Sequence, residues 1–429
     1  MKFTAVGDIL SQKRMPNTYE GFDDVKDFIS RGDARFFNLE TTLNYEGECY
    51  ASQFSGGTYV RCEPEVLSDM LRFGFNMTTF NNNHAMDFSH NGLVKTLKYV
   101  NDTKIVHSGV GMNLAQASAP SYLETENGRV AIIAVNTSFN PAMMAGEQSR
   151  RIAGRPGING ITVAKKLMVT PENFESVSNI AALTGINKGT DVIRKEGYIP
   201  ELPEGVCELG DMIFIEGNEN KVVYEPSKTD IERVKHSIKE ASMCSDYVIL
   251  SIHSHQLFED DKTAVPEFLQ ALSHLFIDFG ADAIIGHGPH LLRPIEVYKD
   301  KPIFYSLGDF VIQLYDVPIA PEEFYKKYGL TSDSSVIELL EKRSAGFTRG
   351  LMEDVRMLES VIPYWETDAD KKLTKLVLKP IKASKGDKKS IEGLPQPTND
   401  LAFIDHLAKM CEPYGVKITI KDGLAVCEW

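Results

Sequence analysis

The chain has 429 residues, 42% of them hydrophobic, with 46 Lys and Arg against 60 Asp and Glu and a formal net charge of −14. That length supports one large core with appendages, or two domains, while the acidic balance argues against a nucleic-acid partner, whose site needs a basic footprint. No run of about 18 apolar residues occurs, so no membrane span is expected, and the opening MKFTAVGDIL breaks at Asp8 too early for a secretory apolar region, which points to the cytoplasm.

In chain order, residues 3–6 and 36–39 read as strands. Residues 63–73 read as a helix, with Val66, Leu67, Met70 and Leu71 at helical spacing. Strands follow at 77–80, 104–107 and 130–135, with a helix at 92–101. This is α/β alternation. Residues 140–225, rich in Gly, Asn and Ser, break it and read as an insertion near the site with one helix at 171–183. Alternation resumes with helices at 230–244 and 265–279 and strands at 247–252, 283–285 and 302–306. The core is therefore expected in 1–139 and 226–315, with 316–429 as a C-terminal extension packed on it. Within that extension 316–350 reads as polar helix, 371–382 as a strand and the Lys/Gly/Pro-rich 383–399 as a linker. A helix at 398–411 and a hairpin at 417–427 turning at Asp422-Gly423 complete it. The six cysteines lack C-x-x-C spacing and read as free thiols of a reducing compartment.

Ionisable and amide residues follow the predicted strands. Asp8 follows 3–6, Glu40 follows 36–39, and Asn83 and His84 in NNNHAMD follow 77–80. His253 and His255 follow 247–252, and His287 and His290 follow 283–285. In an open α/β sheet such strand ends converge on the ligand-binding edge. Mixed carboxylate, amide and imidazole donors suit one or two divalent ions such as Mn, Fe or Zn, and Glu40 or Asp8 would serve as a bridge. Each residue alone has a plainer reading as a helix cap, a turn or a packed side chain. His253 and His255 alternate on a strand, so only one of the pair is expected to face the site. Asp87 either orients His84 or caps the next helix with Ser89.

AVGDIL at 5–10, NLETTL at 38–43, FNNNHAMDFSHNGLVKTL at 80–97 and GADAIIGHGPHLLRPIEVYKDKPIFYSLGDF at 280–310 resemble the CapA family of bacterial capsule-synthesis or poly-γ-glutamate biosynthesis proteins. SGVGMNLAQASAP at 108–120, GRPGIN at 154–159 and the tail from 395 to 426 extend the likeness over nearly the whole chain. That family lies within the calcineurin-like metallophosphoesterase superfamily. The resemblance implies a four-layer α/β/β/α sandwich and metal ligands at Asp8, Glu40, Asn83, His253 and His290, with His287 a further candidate. It implies that His84 acts beside the metals as acid or orienting group. Leu10 and Gly288 depart from it, standing where related proteins carry a histidine, and Asp309 stands in place of a usual Asn.

The expected function is hydrolysis of a phosphate ester by metal-bound hydroxide, with His84 and Asp87 in the catalytic set. Arg150, Arg151, Arg155 and Asp309 are candidate substrate contacts. The alternatives are a non-hydrolytic or γ-glutamyl-directed component of polyglutamate (capsule) synthesis, acting with synthase subunits, and a degenerate binding module.

Overall fold

Alternating apolar residues make the strand Lys2–Leu10 the axis of the fold, because both of its faces are buried. Phe3 and Ala5 join one core, and Val6 and Ile9 join another. The computed structural model describes residues 1–350, 353–386 and 388–429. They divide into two compact units, Met1–Ile161 with Glu232–Trp429, and Thr162–Ile231.

The first unit is a mixed α/β structure with two large sheets. One follows the order Lys417–Lys421, Leu424–Glu428, Leu373–Ala383, Glu359–Thr367, Lys2–Leu10, Ala34–Leu39, Met77–Thr79, Val106–Ser108, with Asp309–Ile312 also on Lys2–Leu10 and Pro395–Pro397 on Leu373–Ala383. The other follows Ile295–Tyr298, Lys301–Phe304, Ala283–His287, Tyr247–His253, Gly128–Asn136, Ser121–Thr125. Phe3, Phe36 and Met77 of the first sheet share a core with Ile132, Ile249, Ile285 and Phe304 of the second. On its other face the first sheet meets the helices Phe22–Ile29, Val66–Leu71 and Ser89–Thr103, which contribute Phe28, Met70 and Leu93.

The strand Glu359–Thr367 was not expected from the sequence, where Pro363 argues against a central strand. Its pairing with Lys2–Leu10 runs from Lys2 opposite Glu366 to Thr4 opposite Tyr364 and stops at the proline, so the missing N–H falls where the ladder ends. Beyond that point Asp309–Ile312 takes over as the neighbour of Lys2–Leu10. Residues 383–399 are not the expected linker. Leu394 is fully buried, Pro395–Pro397 pairs with Leu373–Ala383, and Gly393 accepts a bond from Ile312 N. Apolar packing and edge pairing override the linker-like composition there. Residue 387 of that segment, and residues 351 and 352 of the expected C-terminal extension, lie outside the described residues.

The second unit has a four-stranded sheet, Val206–Leu209, Met212–Glu216, Val163–Val169, Lys221–Pro226, and the helices Pro171–Thr184 and Lys188–Lys195. Residues 140–161, part of the expected insertion, belong to the first unit, where Gly157–Ile158 pairs with Val110–Gly111. Among the described residues no helix is long and apolar enough to cross a membrane, and the six cysteines are free.

Trp365 closes the core between the sheets. It is fully buried, stacks on Phe3 at 5.1 Å, lies 5.4 Å from Phe304, and its Nε1 donates to Tyr247 Oη at 3.1 Å. A Trp365→Ala variant is expected to lose about 3–5 kcal/mol of stability, read as a lower denaturation midpoint, with Trp365→Phe losing much less. Equal midpoints for all three proteins would show that this ring does not join the sheets.

Candidate metal centre

Parallel pairing sets the strand ends side by side. Asp8 lies opposite Asn38 on one neighbour and Asp309 on the other. In the second sheet His253 lies opposite Asn136 and His287. The approach of Lys2–Leu10 to the Leu307-Gly308 backbone is close. A Cβ on Gly7 would sit 1.7 Å from Gly308 O, and Asp8 N donates to that same oxygen at 3.1 Å. Only glycine fits there, and that fit brings the carboxylates of Asp8 and Asp309 together.

Glu40, the first residue past Ala34–Leu39, is fully buried and neither of its carboxylate oxygens has a hydrogen-bond partner among the described residues. Four imidazole Nε2 atoms surround its Oε1: His253 at 3.6 Å, His84 at 3.9 Å, and His255 and His290 at 4.0 Å. Donor atoms lying mutually within 4.8 Å form two groups: Glu40 with His253 and His255, and Asp8 with His290 and Asp309. Asn83 Oδ1 belongs with the first, 2.7 Å from His253 Nε2 and 3.1 Å from His255 Nε2. In the second, His290 Nδ1 meets Asp309 Oδ1 at 2.9 Å. His287 lies beside that group, with Nδ1 3.5 Å from Asp8 Oδ1 and both ring nitrogens otherwise unpartnered.

The electrostatics point the same way. Burial pushes Asp8 up to about 6, and the charge of Asp309 adds to the shift against the pull of His290. Burial, then the charges of Asp8, Asp309 and Asp87, raise Glu40 well above the usual carboxylate range. Burial and neighbouring imidazoles hold His253 and His255 well below the ordinary histidine value, and burial alone takes His287 to about 3. Burial also opposes the charged form of His290, but Asp309 outweighs it and raises this histidine. Acids crowded together beside imidazoles favoured in the neutral form lack positive charge and offer lone pairs. This donor set therefore fits one or more divalent cations, with the O/N mixture suiting Mn, Fe or Zn.

Amides hold the donors in place. Asn38 Nδ2 donates to Asp8 Oδ1 at 2.6 Å, and Asn82 Nδ2 donates to Asn38 Oδ1 at 3.2 Å and to Leu39 O at 2.9 Å. Asp87 organises the His84 side. Its Oδ1 accepts from Gly56 N at 2.9 Å, and its Oδ2 accepts from Val60 N at 2.9 Å and meets His84 Nδ1 at 2.7 Å. A carboxylate accepting two backbone N–H groups leaves Nδ1 of His84 to be the donor, so the ring presents Nε2 toward Glu40.

Several placements differ from the sequence reading. His253 and His255 both face Glu40: the strand ends at His253, so strand alternation no longer governs the loop residue His255. The pattern His-x-His past a strand end was its only sequence signal. Asp309, read as a substrate contact, sits among the acidic donors. Leu10 is buried in an apolar cluster. Gly288 has φ +115, its N donates to Asp8 Oδ2 at 2.9 Å, and a Cβ would meet Ser254 O at 2.9 Å, so the backbone there admits glycine alone. A cavity of about 600 Å³ opens over His84, His255 and His290. Arg150, Arg151 and Arg155 do not line it; they are exposed, and Arg155 donates to Met144 O. The cations that do line it, Lys262, Arg343 and Arg349, were not singled out in the sequence, because they sit in polar stretches with no pattern of their own.

The profile of the family described as bacterial capsule synthesis protein PGA_cap matches residues 2–314. An uncharacterized protein of Sinorhizobium fredii is 30% identical over 98% of this chain and 92% of its own length. A capsule biosynthesis protein CapA of Bacillus anthracis is 22% identical over 72% of this chain and 59% of its own length. A probable polyglutamine synthesis accessory protein of Mycobacterium tuberculosis is 24% identical over 65% and 55% respectively.

An Asp87→Asn change puts an NH₂ against a donor in either amide orientation, because both carboxylate oxygens accept from N–H groups. The expected loss is about 1–3 kcal/mol, seen as a lower thermal midpoint and faster amide exchange at Gly56 and Val60. Wild-type exchange in Asp87→Asn would contradict this bonding.

Proposed function

Because the chain belongs to the bacterial capsule synthesis protein PGA_cap family, we propose that it is a CapA-like, metal-dependent protein of phosphoesterase type, hydrolysing a phosphate ester. The reading takes the two sheets with their helices as the four-layer α/β/β/α sandwich of calcineurin-like metallophosphoesterases. The observation that carries it is Glu40, a buried carboxylate with two unpartnered oxygens, in one donor group and 4.0 Å from His290 of the other. One ion would be held by Glu40, Asn83, His253 and His255, and a second by Asp8, His290 and Asp309, with Glu40 shared and His287 beside Asp8. When bound, such ions supply Lewis acidity toward a phosphoryl oxygen and lower the pKa of water.

The chain's own residues do the rest. Asp87 fixes the tautomer and direction of His84, leaving Nε2 at the base of the cavity. Aimed by that bond, His84 acts on the leaving oxygen as acid or orienting group while the ester P–O bond breaks. The ordered amides of Asn38, Asn82 and Asn83 hold the donor set in one arrangement, so little reorganisation accompanies the reaction.

A second reading is supported by the names of the relatives from Bacillus anthracis and Mycobacterium tuberculosis. In it the same cleft holds a γ-glutamyl chain or its acyl phosphate without turnover, and the protein serves polyglutamate synthase subunits.

Protein purified without chelator and reconstituted with Mn should carry up to two divalent ions per chain by elemental analysis, and Glu40→Ala should carry fewer. Less than one ion per chain in the wild type would remove the basis of the proposal. The Mn-loaded protein is expected to hydrolyse an aryl phosphate or phosphodiester, with His253→Ala inactive and His84→Ala slower in kcat by about 10²–10⁴-fold. Metal-replete protein that is inert across a broad ester panel would favour the second reading.

A further inference from the structure

The cavity above the acidic and imidazole donors is far larger than a phosphate group requires. Its volume of about 600 Å³ falls within the range of sites that enclose organic ligands, about 300–1,000 Å³. Its wall is unusual for this chain. Asp and Glu outnumber Lys and Arg by 60 to 46 overall, yet among the described residues the lining contains Lys262, Arg343 and Arg349 and no carboxylate. Between the cations lie Leu257, Leu314, Leu340 and Phe347, so the same wall is also apolar.

Two of these cations are tied to the residues at the base of the cavity. Arg343, at the end of the helix Val336–Arg343, donates through Nη1 to Thr58 Oγ1 at 2.7 Å. Thr58 lies between Gly56 and Val60, the two residues whose N–H groups Asp87 holds while it also holds His84. The helix is seated by Leu339 and Leu340, which cluster with Tyr59, Phe88 and Phe324, the Tyr59 and Phe324 rings being 5.9 Å apart. Lys262 closes the loop that begins at His255. The buried Arg293 fastens that loop at both ends, Nη2 donating to Gln256 O at 2.8 Å and Nε to Lys262 O at 3.0 Å.

Resting on the phosphoesterase reading, we propose that the substrate is a small organic phosphate carrying an apolar body and a second anionic group, and that Arg343, Arg349 and Lys262 are the residues that select it. The phosphoryl group lies over His84, His255 and His290, the apolar body lies against Leu257, Leu314, Leu340 and Phe347, and the second anion meets the guanidinium groups, whose planar forks match a carboxylate or phosphate.

Calorimetry with two non-hydrolysable probes, phenylphosphonate and 4-carboxyphenylphosphonate, tests this on the full chain with and without Mn. The Mn-loaded wild type should bind the carboxylated probe at least about 10-fold more tightly, the scale of a hydrogen bond to a charged group. Arg343→Ala and Arg349→Ala should each reduce that preference, and the two combined with Lys262→Ala should remove it. Arg343→Ala also breaks the bond to Thr58, so the exposed Arg349 and Lys262 provide variants whose folding, checked by thermal midpoint, is independent of it. Equal affinity of the wild type for the two probes, or a preference that survives the triple variant, would overturn the proposal. A protein that prefers the carboxylated probe but hydrolyses no ester would sustain this selectivity and sink only the hydrolytic reading. One that hydrolyses aryl phosphates but ignores the carboxylate would do the reverse.

Discussion

The candidate site is arranged around a carboxylate that folding leaves unsatisfied. A buried carboxylate with two empty oxygens costs several kcal/mol unless positive charge meets it, and among the described residues Glu40 has no hydrogen-bond partner. Its neighbours Asp8 and Asp309 worsen the repulsion, and burial disfavours the charged forms of His253 and His255 beside it. A site that only stabilised the fold would pair such groups with one another. This one keeps their lone pairs pointing into shared space, which is the electrostatic condition for binding a cation.

The surrounding structure delivers that arrangement through ordinary packing. The first strand changes neighbours halfway along its length: Pro363 ends one ladder, and the glycines at 7 and 308 let the next backbone close in. The change of partner sets two acidic residues side by side at the strand's end. Two sheets joined through Phe3, Trp365 and Phe304 then bring the histidines of one sheet over the carboxylates of the other. Rigid apolar layers fix the positions of polar groups that would otherwise repel. The amide relay from Asn82 through Asn38 to Asp8 removes the remaining rotational freedom of that carboxylate.

Much of the α/β framework was legible in the sequence. The strands near 3, 36, 77, 130, 247 and 283 and the helices near 92, 171, 267 and 402 announce themselves by period and composition. The polar residues after those strands were legible as a set, since each alone could cap a helix or fill a turn but five strand ends carry them together. Glu359–Thr367 was not legible, because a proline in mid-strand is tolerated only where a ladder stops, and that depends on a partner more than 350 residues away. His255 was missed for a similar reason, since strand alternation was carried two residues past the point where the strand ends.

The sequence by itself determined which strand ends carry donor side chains and the α/β alternation that holds them, because donor type and apolar periodicity are properties of short segments. Tertiary structure alone decided that His255 joins Glu40 and His253, that Asp309 joins the acids, and that the cations of the cavity wall are Lys262, Arg343 and Arg349 and not the arginines at 150, 151 and 155. Those outcomes depend on contacts between distant parts of the chain, and no local pattern encodes the distance between two side chains separated by hundreds of residues.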